Sequence, residues 1–382
     1  PTFPSRLPQV GTTIFSVMSA LAAEHGAVNL GQGFPDFDCD PALVNAVARA
    51  MQAGHNQYPP MPGMPALRQA VATKIEALHA RQYCPNAEIT ITAGATQAIL
   101  TALLACVHPG DEVIVLDPCY DSYVPSIELA GGVPVRVPLG DSASPGSFRP
   151  HFGKIAAAIT PRTRLLLINS PHNPSATVWT EADMRTLEEL LAPTPILLLD
   201  EVYEHMFDGA THQSAARFPG LAERAFIVSS FGKTFHVTGW KIGSVAAPAA
   251  LTAEFRKVHQ FNVFTVNTPM QHGLAEYLQN PAPYRQLPAF YQAKRDLFRQ
   301  GLEDSRLKLL PSTGSYFQCV DISAVSALSE ADFCQWLTRE IGVAAIPLSA
   351  FYGDGFDQRV VRFCFAKKDA TLRAALQRLR RL

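Results

Sequence analysis

Six short apolar runs are spaced through the first two-thirds of the chain. They are Glu88 to Ala93 (EITITA), Glu112 to Leu116 (EVIVL), Val133 to Val137, Arg164 to Asn169 (RLLLIN), Pro195 to Asp200 (PILLLD) and Ala225 to Ser230 (AFIVSS). Most are rich in Val, Ile and Leu and lack the alternation of a half-exposed strand, so a sheet built from them must be covered on both faces. Segments of helical period stand between several of them. Met64 to Tyr83 opens with Pro65 at a first helical position and repeats Leu67, Val71, Ile75 and Leu78 on one face. Ala95 to Val107 reads as an almost wholly apolar helix and Asp121 to Leu129 as another. Strands alternating with helices predict an α/β fold with a mostly parallel sheet.

A Pro-rich stretch, Asn280 to Pro288, interrupts this pattern and places a domain boundary near residue 280. Beyond it the text reads helix (Ala289 to Leu302), strand (Ser315 to Asp321), helix (Glu330 to Ile341), strand (Arg359 to Phe365) and helix (Asp369 to Arg381), a smaller α+β unit. A length of 382 residues suits two compact units.

Thirty-two basic residues against thirty-three acidic ones leave a net charge of −1, which offers nucleic acid or an anionic membrane no electrostatic footprint. The expected ligand is small. Seven scattered cysteines, none in a C-x-x-C pair, argue against a zinc site or a disulfide framework; no metal is expected. Free thiols in apolar runs point to a reducing compartment, the cytoplasm. Pro1 to Gln9 has no leader pattern, and no apolar run reaches the ~18 residues of a membrane span.

Ligands of α/β sheets bind beyond the carboxyl ends of the strands, so the residues following each strand carry the functional reading. After EITITA comes Gly94-Ala95-Thr96-Gln97, small residues opening a helix, where free N–H groups suit an anion; a plain strand-to-helix turn reads the same. After EVIVL, Tyr120 and Tyr123 offer either an aromatic face for a planar ligand or packing at a domain rim. After RLLLIN, the prolines of Ser170-Pro171-His172-Asn173-Pro174 hold a rigid loop that presents Asn173 as a donor. Asp200 ends the fifth apolar run, where a dry carboxylate needs a cationic or donating partner unless it caps a helix. Two of only nine lysines, Lys233 and Lys241, lie eight apart among Phe231, Phe235 and Trp240. Apolar walls lower an amine's pKa and free it for Schiff-base chemistry, although a snorkelling surface lysine fits the same text.

An anion site, an aromatic face, an amide donor, a carboxylate and a lysine at successive strand ends match the parts of pyridoxal phosphate. With Ser230-Phe231-Gly232-Lys233, Thr238-Gly239-Trp240-Lys241-Ile242-Gly243, Asn169-Ser170-Pro171-His172-Asn173-Pro174 and Asp200-Glu201-Val202-Tyr203, the chain resembles the fold-type I, class I pyridoxal-phosphate aminotransferases. It is most similar to the branch of kynurenine aminotransferase, glutamine transaminase K and bacterial methionine aminotransferase. The motifs run from Asn29-Leu30-Gly31-Gln32-Gly33-Phe34-Pro35-Asp36 to Val361-Arg362-Phe363-Cys364-Phe365.

The resemblance implies a large domain over 41–279, with a mixed, mostly parallel sheet, and a small domain of 280–382 joined by the N-terminal segment 1–40. It implies that Lys233 condenses with the cofactor's aldehyde and then moves a proton between the substrate's Cα and the cofactor. Asp200 would pair with the ring nitrogen, Asn173 and Tyr203 with the phenolic oxygen, and Tyr120 would stack on the ring. Ala95, Thr96, Ser230 and Lys241 would hold the phosphate, with Tyr58 reaching across from the second subunit of a homodimer. Arg362, assisted by Asn173 and the backbone of Gly33, would grip the substrate carboxylate, and Phe15, Tyr123 and Phe264 would line an apolar side-chain pocket. Lys241 and Gly232 stand where many class I members carry Arg and Ser, and no second arginine is evident for a distal carboxylate.

The expectation is therefore ping-pong transamination of a neutral amino acid with a 2-oxo acid. A cysteine-conjugate β-lyase would use the same residues. A non-catalytic effector-binding domain of a transcriptional regulator would need a helix-turn-helix ahead of the fold, and none is read here. A Rossmann reading fails because Gly31-x-Gly33 lacks the third glycine and is followed by Pro35.

Overall fold

The computed structural model describes residues 3–140, 146–191, 195–207, 209 and 211–382. All six apolar runs become strands of one seven-stranded sheet: β2 (Ile89–Thr92), β3 (Glu112–Asp117), β4 (Val133–Pro138), β5 (Thr163–Asn169), β6 (Ile196–Asp200) and β7 (Ala225–Ser230), after a two-residue β1 (Val28–Asn29) that lies elsewhere. The seventh strand, β8 (Gly243–Ala246), is four small or β-branched residues that carry no apolar run of their own. The order is β2-β8-β7-β6-β5-β3-β4. Strands β4, β3, β5, β6 and β7 run parallel; β8 is antiparallel to both its neighbours, so the sheet is mixed.

Helices cover both faces of this sheet. After α1 (Ile14–Glu24) and α2 (Pro41–Gln52), α3 (Pro65–His79) starts on its proline and stops at Ala80, in the left-handed region at φ 56°. Helix α4 (Gly94–Cys106) follows β2, and α5 (Tyr123–Leu129) begins two residues later than the sequence suggests, with Ser122 at its N-cap.

A second sheet of order β12-β13-β10-β9 is antiparallel and built from β9 (Lys308–Leu309), β10 (Phe317–Asp321), β12 (Ile346–Pro347) and β13 (Val360–Cys364). The two inner strands, β10 and β13, start later than the text suggests for a physical reason: Ser315 and Arg359 sit at positive φ, 56° and 64°, and turn the chain before pairing begins. Strand β1 pairs in parallel with β11 (Val343–Ala344), which brings the N-terminal segment against the C-terminal part of the chain. The helix expected over Glu330 to Ile341 changes to π-helical winding at Leu337 and ends at Gly342, φ 79°. No helix is long and apolar enough to cross a membrane among the described residues.

Candidate active site

A cavity of about 270 Å³ opens where the carboxyl ends of β5, β6 and β7 face β10 and β13 of the second sheet. Its walls come from residues as far apart in sequence as Phe15 and Arg362.

At the start of α4, Gly94 takes φ +78°, and a Cβ there would stand 3.4 Å from both Cε and Nζ of Lys241. Gly243 is as constrained, because its Cβ would meet the Ser229 carbonyl oxygen at 2.7 Å and the Gly94 backbone at 3.1 Å. The two glycines let β7, β8 and the first turn of α4 close on one another. Ala95, Thr96, Ser230 and Lys241 all border the pocket so formed, beside a helix N-terminus whose dipole favours an anion. Gly232 has its own reason to lack a side chain: a Cβ would lie 2.9 Å from Cα of Thr238.

Strand β6 delivers Asp200, 4% exposed, to the cavity wall. Its carboxylate accepts from the Tyr123 hydroxyl at 2.6 Å and from the Val202 N–H at 3.3 Å. Burial pushes its pKa up to about 6 despite those two bonds, and no cation lies within ion-pair distance of it among the described residues. Asn169, at the end of β5, donates to the Asp200 carbonyl at 2.8 Å and accepts from the Asn173 N–H at 2.6 Å.

Lys233 lies one residue inside a single-turn helix, Phe231–Thr234, at the end of β7. Its ε-amine donates to the Gly33 carbonyl and to the Tyr316 hydroxyl, both at 3.0 Å. Burial, together with the positive charges of Arg362 and Lys241, brings its pKa down to about 8. Tyr203, fully desolvated and raised well above 10, stands edge-on to Tyr316 at 5.2 Å.

Arg362, on β13, is 1% exposed. Its guanidinium donates to Oδ1 of Asn173 at 2.5 Å and to the Gly31 carbonyl at 3.0 Å, and lies 4.0 Å over the Phe317 ring. Its buried Nε has no partner, and no carboxylate forms an ion pair with it among the described residues. A buried cation without a counter-ion is costly unless a ligand supplies the charge.

Of the residues singled out from sequence, Phe15, Gly33, Ala95, Thr96, Tyr120, Tyr123, Asn173, Asp200, Tyr203, Ser230, Lys233, Lys241 and Arg362 border this cavity. Tyr123 does so at its Asp200 wall, where its hydroxyl is committed to the carboxylate. Tyr58 and Phe264 lie outside; their rings meet edge to face at 5.3 Å on the surface, Tyr58 being 81% exposed. Asn169, Tyr316 and Phe317 escaped the sequence reading. Asn169 carried a signal, since a polar residue ending an apolar strand is the logic that found Asp200. Tyr316 and Phe317 carried none, because only the second sheet brings Phe317 to the cavity wall and Tyr316 to the Lys233 amine.

The family model for class I and II aminotransferases matches residues 25–379. A methionine aminotransferase of Escherichia coli is 52% identical over 99% of this chain and 98% of its own length. A probable N-succinyldiaminopimelate aminotransferase of Mycobacterium tuberculosis is 40% identical (98% and 97% covered), and a kynurenine–oxoglutarate transaminase of Dictyostelium discoideum is 33% identical (97% and 94%). The crystal structure of an Escherichia coli protein with a methionine aminotransferase function superposes with a TM-score of 0.97 over all of both chains, at 52% identity.

Proposed function

The chain belongs to the class I and II aminotransferases, enzymes that depend on pyridoxal phosphate, and from that premise we propose that the cavity holds this cofactor and transaminates neutral amino acids, methionine foremost. Two features fit the cofactor. The cradle opened by Gly94 and bordered by Ala95, Thr96, Ser230 and Lys241 suits its phosphate, and the dry, cation-less carboxylate of Asp200 suits a protonated ring nitrogen. Tyr120, Tyr203 and Asn173 complete the wall that would hold the ring. When bound, the cofactor supplies an aldehyde that takes up an amine and a cationic ring that withdraws electrons from the carbon being deprotonated.

The protein's own residues do the rest. Arg362, with Asn173 fixed beside it and its Nε free, takes the substrate α-carboxylate as a two-pronged, charge-assisted pair. That grip orients the substrate's Cα toward Lys233, whose amine removes the Cα proton; a pKa near 8 leaves part of it neutral at physiological pH. Asp200 stays ionised once a cation faces it, and Tyr123 holds it in place. The only lysines and arginines around the cavity are Lys233, Lys241 and Arg362 among the described residues. Each has a task, so none remains for a distal carboxylate, and Phe15 and Phe34 offer apolar surface instead.

The observation that carries this reading is Arg362, a buried cation without a counter-ion at the rim of a cavity that also holds Lys233. Exposed Tyr58, Phe261 and Phe264 support the further proposal of a homodimer in which Tyr58 completes the partner's phosphate site. Seven unpaired cysteines suit a reducing compartment such as the cytoplasm.

The test is a panel of donors (methionine, glutamine, phenylalanine, kynurenine, histidine, aspartate) against several 2-oxo acids. Fast turnover of neutral donors, slow turnover of aspartate and parallel double-reciprocal plots are expected. A preference for aspartate would refute the substrate class. Protein that stays colourless with pyridoxal phosphate and gives no borohydride-stable adduct on Lys233 would refute the cofactor.

A further inference from the structure

Tyr316 is 0% exposed and sits at the start of the second sheet, one residue before β10, among the rings of Tyr203 (5.2 Å), Tyr291 (5.6 Å) and Phe317 (4.9 Å). No motif contains it, yet its hydroxyl touches the amine on which the site depends. The hydroxyl lies 2.5 Å from the Gly33 carbonyl oxygen, which can only accept, so its single hydrogen points there. The lone pairs are left facing Nζ of Lys233 at 3.0 Å. Nζ donates in turn to the same Gly33 carbonyl at 3.0 Å, closing a triangle of two acceptors and one amine.

We propose that Tyr316 is a positioning residue for Lys233: its hydroxyl, clamped on the Gly33 carbonyl, is a directed acceptor that holds the free ε-amine inside the cavity and favours its protonated form. The proposal rests on the reading of Lys233 as the reactive amine. Such a holder is needed because a lysine released by an incoming amino substrate has four rotatable bonds and would otherwise swing away. Geometry makes the role specific. The ring is packed edge-on against Tyr203 and Phe317 and is 0% exposed, so its hydroxyl is held in place beside Gly33, with the Tyr203 hydroxyl as its other neighbour. The hydroxyl is also a neutral acceptor at every working pH, because desolvation keeps it from ionising. The charged and titratable groups that face the amine are Asp200, Arg362, Lys241, Cys364 and Tyr316, with Tyr203 beyond, and among these Tyr316 is the one that bonds to it directly. Gly33 belongs to the loop over the cavity, whose Phe34 carbonyl is tied to Lys367 at 2.7 Å, so the clamp is anchored at both ends.

The experiment compares the full-length chain, freed of cofactor, with its Tyr316→Phe and Tyr316→Leu variants. The rate of pyridoxal phosphate capture is followed by visible absorbance against pH, because only the neutral amine attacks. Losing one acceptor of the ammonium form should move the midpoint down by about half a pH unit or more in both variants. In the reloaded enzymes kcat should fall about three- to tenfold with KM for the amino donor nearly unchanged, since substrate binding stays with Arg362. A Tyr316→Phe midpoint equal to the wild type's overturns the proposal. So does a shift seen in Tyr316→Leu alone, which would assign the effect to the ring. Wild-type protein that captures no cofactor at all would instead refute the proposed function.

Discussion

Three carboxylates lie within five residues of one another, Asp200, Glu201 and Glu204, and they face two different environments. Asp200 faces the cavity, where no cation among the described residues pairs with it and the charge of Lys233 acts on it only from beyond ion-pair distance. Glu201 and Glu204 face the opposite way, into a buried cluster. There Lys74 of α3 pairs with Glu204 at 2.7 Å and touches His205 at 3.3 Å, while His212 lies 3.0 Å from Glu201 and the Ala215 N–H donates to it at 3.0 Å. Burial alone would raise Glu204, but the charge of Lys74 and its hydrogen bond hold the carboxyl well below its ordinary range. Burial keeps His205 neutral, its pKa lowered to about 3. The cavity leaves its charges open and the cluster closes them. Compensated buried charge marks structure, and uncompensated buried charge marks the place of a ligand.

The contrast can be broken most sharply at Lys233. Replacing it with Ala should lower kcat/KM by about 10²–10⁴-fold and abolish the borohydride-stable adduct at position 233, with little change in urea midpoint. On the other side, Lys74→Met removes one member of a closed pair and should cost about 3–5 kcal/mol in urea unfolding, while kcat/KM under folded conditions stays near wild type. A stable Lys74→Met protein would erase the distinction between the two regions.

Asp200→Asn should do the reverse of Lys74→Met in the cofactor-free chain. Its carboxyl has a folded pKa near 6, above its ordinary 3.8, so the unfolded state loses its proton first and stability falls as pH rises from about 4 through 6. Removing the charge should therefore stabilise the cofactor-free chain by about 3 kcal/mol at pH 7.5, an advantage that vanishes near pH 4. Urea titrations at the two pH values measure the difference. The smallest expected effect is Arg362→Lys, which keeps the charge and loses the fork; KM for the amino donor should rise about tenfold, with kcat less affected.

The parts of this site legible in the sequence are those that local chain geometry dictates. An apolar strand that stops at a polar residue announces Asp200, and a glycine followed by small residues announces the anion cradle at α4. Arg362 came through the resemblance, on a predicted strand beside Phe363 and Phe365 where an unpaired guanidinium would be costly. What stayed hidden depends on one sheet meeting the other. Tyr316 becomes relevant only when the segment before β10 lies against Gly33, 283 residues earlier in the chain. Tyr123 looked like a pocket aromatic, and its hydroxyl turned out to belong to Asp200, since no pattern reports which way a side chain at a helix start will face. β8 went unread as a strand because its small residues are chosen for close approach rather than burial.

The order β2-β8-β7 also has a temporal meaning. The proposed phosphate cradle takes its parts from the turn after β2, the end of β7 and the turn before β8, and β8 is wedged between strands made about 150 residues and about 15 residues before it. During synthesis the chain must therefore be released past Ala246 before the whole cradle can assemble, and under the proposed function vitamin B6 capture becomes a clock that starts only after the longest-range pairing of that sheet has been made.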